Sequence, residues 1–225
     1  MANRPVFTPT TKFPHVEIHN TDFTWHPGFS LSQKQLSIES LHQCAIENGY
    51  CNNPLEISSK SLKHYGVQMS AFNLRVDISQ GRSTSLESVF QSSKVFEHGG
   101  PFRDLLYAEA IDAKKDPRIK ESGELIGFQG KNSLWPIEPK TIFYDWIYLN
   151  TLQKNKTLSD HCLKHDGFTD IEFNPKRSFS CQARSAALFV ALTNNEQLID
   201  LLKNEEGFIE YFTKDEPKSN QQELF

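Results

Sequence analysis

The chain has 225 residues, of which 23% are charged and 12% aromatic, with 17 Phe and a formal net charge of −4. That length supports one substantial core without demanding two domains, and the aromatic content describes a folded protein with a Phe-rich interior. The mild acidity excludes a surface built wholesale for phosphate contact, so any role on nucleic acid must rest on a local patch.

In chain order, the first thirty residues alternate aromatics with turn formers and predict an irregular or short-stranded lead-in. Leu31, Ile38, Leu41 and Ala45 recur at near-helical spacing, so residues 30 to 49 predict a helix ended by Gly49. Residues 55 to 61 and 67 to 77 are the best strand or extended candidates, joined around Gly66. Residues 83 to 101 read as a complete helix, with a capping box from Thr84 to Glu87 and a stop at Gly99-Gly100-Pro101. Next come predicted helices over 102 to 115, 138 to 154, 181 to 192 and 196 to 206, with a short strand or extended loop over 167 to 175. Together these elements predict a mainly α fold with a few short β or extended segments. One domain is expected over 1 to 212, followed by a flexible polar tail over 213 to 225.

Cys44, Cys51, Cys162 and Cys181 stand far apart with no C-x-x-C pair, the pattern of reduced thiols. The opening MANRPVFTP lacks the apolar core of a signal segment, and no apolar run reaches bilayer length. A cytoplasmic location away from membranes is the expectation. His161 and His165 are spaced i,i+4 beside Cys162, but neither an H-E-x-x-H pattern nor a second cluster completes a metal site. No metal or cofactor is expected.

Two regions concentrate polar chemistry. On a helical wheel Glu87, Gln91, Lys94 and His98 fall within roughly 60° of one another, while Leu86, Val89, Phe90 and Phe96 gather on the neighbouring arc. The row is either a solvated face, with Glu87 a capping glutamate, or one wall of a site with Glu87 as general acid or base. Lys94 would lie about 10 Å along the axis from Glu87, a gap that suits a bridging ligand rather than a direct pair. His98 reads as a surface residue. The second region, residues 168 to 186, offers Asp170, Glu172, Asn174, Lys176, Arg177, Gln182 and Arg184 around an Asn-Pro turn. Trp146 reads as core, whereas Trp135, in a polar loop, is the better candidate for stacking on a ligand.

The segments SLESVFQSSKVF and DPRIKESGELIGF, with Trp135 downstream, resemble the NADAR (YbiA-like) superfamily and its E-x-x-x-Q-x-x-K helix. MSAFNL, SKVFEHGGPFRDLL, EPKTIFYDWIYL and FTDIEFNPKRSFSCQA further resemble the NADAR antitoxins encoded beside DarT-type DNA ADP-ribosyltransferases, over most of residues 4 to 212. The resemblance implies a mainly helical domain and an N-glycosidic hydrolase that removes ADP-ribose from guanine bases of DNA, protecting against a cognate ADP-ribosyltransferase toxin. Glu87, Gln91 and Lys94 match the family motif, Asn73 resembles the asparagine of its S-N-F turn, and Asp170 resembles its later aspartate. The family's D-x-x-W-G reads FTDIEFN here, without the tryptophan.

Glu87, Lys94 and Asp170 are therefore the expected catalytic residues. Asn73, Gln91, Trp135, Asn174, Lys176, Gln182 and Arg184 are the expected substrate contacts, with Lys176 and Arg184 facing the diphosphate. Two rival readings are a hydrolase of a small ribosylated nucleotide or ADP-ribose derivative, and a non-enzymatic antitoxin that binds its toxin. Separately, Gln221-Gln222-Glu223-Leu224-Phe225 resembles the Q-x-x-L-F peptide that docks on bacterial sliding clamps.

Overall fold

The computed structural model describes residues 2–79, 81–175 and 178–214. Its N-terminal segment is a long hairpin rather than an irregular lead-in: β1 (Ala2–Pro9) pairs in full antiparallel register with β2 (Val16–Phe23). Pro5 and Pro9 argue against a central strand, but β1 meets its other neighbour, β9 (Gly167–Thr169), at Phe7 alone. A parallel pairing of β9 with β3 (Pro54–Glu56) completes a four-stranded sheet in the order β2-β1-β9-β3.

Both faces of this sheet are covered at the middle of β1 and at β9 and β3, while the edge strand β2 leaves Glu17, Ile18, Asn20 and Asp22 exposed. Helix α1 (Leu31–Glu47) lays Ile38, Leu41 and Ala45 against Val6 and Phe23 on one face. On the other, Phe7, Leu55 and Phe168 join the main core with α6 (Ile142–Lys154) and α8 (Gln182–Asn194). Ala183, Ala186 and Ala187 are fully buried, and such small side chains let neighbouring backbone approach α8 closely. A strand buried on both faces loses the alternation by which a strand is read from sequence, and this hid β1.

The fold is therefore mixed α/β, 43% helical and 20% strand with three sheets, which corrects the expectation of a mainly α protein. Two small sheets account for much of the difference. In one, β4 (Arg75–Ser79) pairs with β5 (Arg82–Ser85). In the other, β7 (Leu125–Gln129) lies between β6 (Lys94–Phe96) and β8 (Leu134–Trp135). Residues 67 to 77 are likewise not one extended run, since α2 (His64–Gln68) and a turn precede β4.

The helix expected over 83 to 101 is cut down to α3 (Leu86–Ser92). Thr84 lies in β5 opposite Val76, and the N-cap is Ser85, whose hydroxyl accepts the Ser88 N–H at 3.0 Å. At the other end the Ser92 and Ser93 hydroxyls both donate to the Val89 carbonyl, at 3.0 and 2.8 Å. Such back-bonding competes with helix propagation, and Lys94 pairs with Phe128 of β7 instead. The helix expected over 102 to 115 is split into a 3₁₀ turn, Arg103–Tyr107, and α4 (Ala110–Lys115). Beyond it lie α5 (Arg118–Glu121) and, after α6, α7 (Lys156–Cys162). The one expected over 196 to 206 divides into α9 (Leu198–Leu201) and the start of α10 (Glu205–Thr213), whose N-cap Asn204 accepts from the Gly207 N–H at 2.6 Å.

No helix among the described residues is long and apolar enough to cross a membrane. The clamp-like pentapeptide at 221 to 225, and all of the expected tail except residues 213 and 214, lie outside the described residues.

Candidate active site

Helix α3 is set by the turn that precedes β4. The Glu87 N–H donates to the Ala71 carbonyl at 3.0 Å, and the Leu86 N–H to the Leu74 carbonyl at 2.9 Å. Two of the N–H groups that a helix start leaves without partners are thus tied to the SAFNL turn. Asn73, within that turn, is exposed and donates through Nδ2 to the Ser70 hydroxyl at 2.8 Å. Its side chain holds the turn closed.

Glu87 is only 5% exposed, and a buried carboxylate is costly unless paired. Its Oε1 accepts from Gln91 Nε2 at 2.9 Å, the i,i+4 contact of one helix turn, and lies 3.6 Å from Lys114 Nζ. The Gln91 side-chain oxygen, Oε1, also buried, has no hydrogen-bond partner among the described residues. A buried acceptor left in this state costs about 1–3 kcal/mol, which a donor on a bound ligand would relieve. Lys94, at the start of β6, carries its ammonium 4.9 Å from the centre of the Phe90 ring. Burial pulls the Lys94 pKa down to about 8, with Glu87 opposing that shift and Lys114 adding to it. Lys94 is therefore an amine that is still mostly protonated at pH 7, with roughly a tenth neutral, and becomes mostly neutral above about 8. Tyr144 of α6 packs edge-on against Phe90, and burial raises its phenol pKa well above the usual value, with Glu87 and Asp170 both contributing.

Asp170 is held by a separate set of bonds. Its Oδ1 accepts the Glu172 and Phe173 N–H groups at 3.0 and 3.2 Å, and its Oδ2 accepts Gln182 Nε2 at 2.9 Å. Glu56, wholly buried at the end of β3, accepts the Thr169 hydroxyl at 2.6 Å and the Ile171 N–H at 2.8 Å, one residue on either side of Asp170. Burial raises the pKa of both carboxyls, and their mutual repulsion pushes Asp170 up further. Gln182 links the two regions. Its Nε2 also donates to the Ile57 carbonyl at 2.5 Å, and its Oε1 accepts the Ala71 N–H at 2.6 Å. A continuous path thus runs from the Asp170 carboxyl through Gln182 and Ala71 to the Glu87 backbone.

The other expected contacts fall elsewhere. Trp135 is wholly buried against Phe143, Trp146 and Phe208, with Nε1 donating to Glu205 Oε2 at 3.3 Å. No ring face is left open, so the expectation that Trp135 stacks on a ligand is overturned: β8 pairing turns that side chain into the core. Gln182, expected to touch substrate, has both ends of its amide engaged within the protein. Arg184 forms an ion pair with Asp145, which also accepts the Ser185 hydroxyl at 2.6 Å. Arg184 borders a cleft of about 280 Å³ lined also by Phe173, Pro175, Lys140 and Cys181, next to the Asp170 turn. The backbone carbonyl of Asn174 accepts from the Ser178 N–H at 3.1 Å, and Lys176 lies outside the described residues. His98 is exposed. Among the described residues no group of three or more His, Cys, Asp or Glu side chains could hold a metal ion.

Lys114, Tyr144 and Glu56 escaped the sequence reading. Lys114 and Tyr144 sit on segments read as helices, where a lysine reads as solvated and an aromatic as core. Glu56 lies on a strand too short to show which face it turns inward.

Fold and site together define a mixed α/β protein with a buried carboxylate–amide–amine cluster on a short helix and the strand after it. The chain belongs to the DarT1-associated NADAR antitoxins: that family's model matches residues 2–222. None of the curated proteins searched matches the chain.

Proposed function

We propose that this antitoxin is an N-glycosidic hydrolase that removes ADP-ribose from guanine bases of DNA, reversing the modification made by its cognate toxin. The observation that carries this reading is geometric: a lysine amine held over Phe90 with no ion pair among the described residues, on the strand that follows the helix carrying the buried Glu87. Burial there lowers its pKa to about 8. An amine that is neutral for part of the time can add to the anomeric carbon of ADP-ribose, displacing the guanine nitrogen. The ring C–O bond then breaks, the ring oxygen takes a proton from solvent, and the Lys94 imine forms. Water then releases ADP-ribose from the Lys94 imine and restores the amine. In this reading the Glu87 carboxylate takes the proton lost by the attacking amine, passes it to the departing guanine nitrogen and later activates that water. Its neighbour Gln91 presents a carbonyl oxygen suited to a ribose hydroxyl, and Asp170, held by its turn and by Gln182, is the second carboxyl of the site. Arg184, Lys176 and Asn174 are the candidate contacts for the diphosphate side of the substrate.

The test is incubation with toxin-modified guanine-containing DNA and mass analysis of released ADP-ribose. Glu87→Gln should stay folded and lose ~10²-fold or more in rate, the usual share of a general acid–base group. A fully active Glu87→Gln would overturn the assignment. The net charge of −4 favours a second reading, hydrolysis of a small ADP-ribosylated nucleotide, because duplex substrates generally meet basic surfaces. Release from the modified nucleoside but not from the oligonucleotide would select it. Protection of cells by Glu87→Ala, with a stable toxin complex, would select binding without catalysis.

A further inference from the structure

The motif glutamate and the motif lysine do not pair with each other. Lys94 makes no ion pair among the described residues, and its ammonium rests over Phe90. The cation that meets Glu87 is Lys114, from α4, at 3.6 Å on the same oxygen that receives the Gln91 amide. Lys114 is about half exposed whereas Glu87 is almost wholly buried, so the contact reaches the carboxylate from its solvent side. The Lys114 ammonium also lies 5.2 Å from the Phe72 ring, which helps to hold it in place.

We propose that Lys114 is a positioning residue for Lys94: by holding the Glu87 carboxylate from outside, it leaves the Lys94 amine without an anionic partner and available as a nucleophile. The nucleophilic part of this statement rests on the proposed hydrolase reading; the electrostatic part does not. Other charges near Lys94 do not supply the same effect. On α3 the charged group is Glu87, α6 brings the neutral phenol of Tyr144, and β7 carries no titratable side chain. In the 3₁₀ turn, Arg103 donates to the Gln129 carbonyl and Asp104 is taken by Arg118. Removing the Lys114 charge has two consequences of one sign. Lys94 loses a repelling neighbour, and Glu87 loses its partner and turns its field on Lys94. Both favour the charged ammonium.

The experiment is competitive labelling of Lys94 with acetic anhydride across pH, read by peptide mass spectrometry in the full chain. The wild-type midpoint should fall at about 8. In Lys114→Gln it should move up by about half a unit, the scale of a partly exposed pair. In Lys114→Arg, which keeps the cation, it should stay. An unmoved midpoint in Lys114→Gln, or an equal shift in Lys114→Arg, would overturn the proposal. Thermal melts of both variants establish that each is folded. The acid limb of the rate profile on modified DNA should follow the labelling midpoint. If labelling shifts as expected and no ADP-ribose is released by any form, the hydrolase reading fails while the Lys114 effect stands.

Discussion

At the scale of single residues, Lys94 has the clearest titration. A nucleophilic amine works only when unprotonated, so the rate should rise with pH and level off above about 8. A lysine that merely neutralised substrate charge would show the opposite, with activity falling as pH passes through that value. Sodium borohydride should trap a Lys94–ADP-ribose adduct under the first regime, and its absence at every pH would remove the imine step. The sequence motif identified Glu87, Gln91 and Lys94 as neighbours; the structure joins Gln91 to Glu87 by a hydrogen bond and sets Lys94 over Phe90 at the start of the next strand. Their mutual roles were not legible. A helix through Lys94 would have put the ammonium about 10 Å from Glu87 along one axis, whereas the strand start at Lys94 turns it over Phe90.

The bend between α3 and β6 is an element-scale device, and Gly100 supports it. That residue has φ of +79°, and a Cβ there would collide with the Lys94 carbonyl oxygen. Gly100→Ala should therefore cost about 1–3 kcal/mol in urea unfolding and lower activity by displacing Lys94. A variant with unchanged stability and rate would show that β6 does not depend on this approach. Glu56 plays a comparable part between β3 and the Asp170 turn. Glu56→Leu leaves the Thr169 hydroxyl and the Ile171 N–H without their acceptor and should cost about 2–4 kcal/mol, whereas Glu56→Gln, which keeps one acceptor, should cost less. Equal losses in the two variants would argue that packing alone is at stake.

Across the whole molecule, histidines packed between distant segments link them and make stability sensitive to acid. His42 of α1 bonds the Thr169 hydroxyl of β9 at 2.8 Å, and burial lowers its pKa to about 4. His15, in the hairpin loop, bonds the Tyr211 hydroxyl of α10 at 2.6 Å, and its pKa is also lowered by burial. An unfolded histidine takes its proton near 6.5, while folded His42 stays neutral down to about 4. Over that interval the unfolded chain binds more protons, so this contribution to stability is present above 6.5 and is lost as pH falls towards 4. Glu56 and Asp170, with raised pKa values, act in the opposite direction but are common to wild type and a His42 variant. Between pH 7 and pH 5 wild type should lose about 2 kcal/mol relative to His42→Gln, measured by urea unfolding. Parallel losses in the two proteins would contradict a neutral, partly buried His42.

Much of the helical skeleton was legible in the chain alone. The periodic apolar rows of α1, α6 and α8, and the E-x-x-x-Q-x-x-K motif with its family resemblance, are local patterns that survive without knowledge of their neighbours. What stayed hidden were the features that depend on a partner distant in sequence. Strand β1 is buried on both faces from Pro5 to Thr8, Trp135 turns inward through pairing with β7, and Lys114 and Glu56 gain their meaning from carboxyl and hydroxyl groups on other elements. Local sequence thus determined which residue types stand near Glu87. Only the tertiary structure decided which cation meets its carboxylate and which amine is left without an anionic partner and with a lowered pKa, because burial and through-space charge set protonation and neither is written in spacing along the chain.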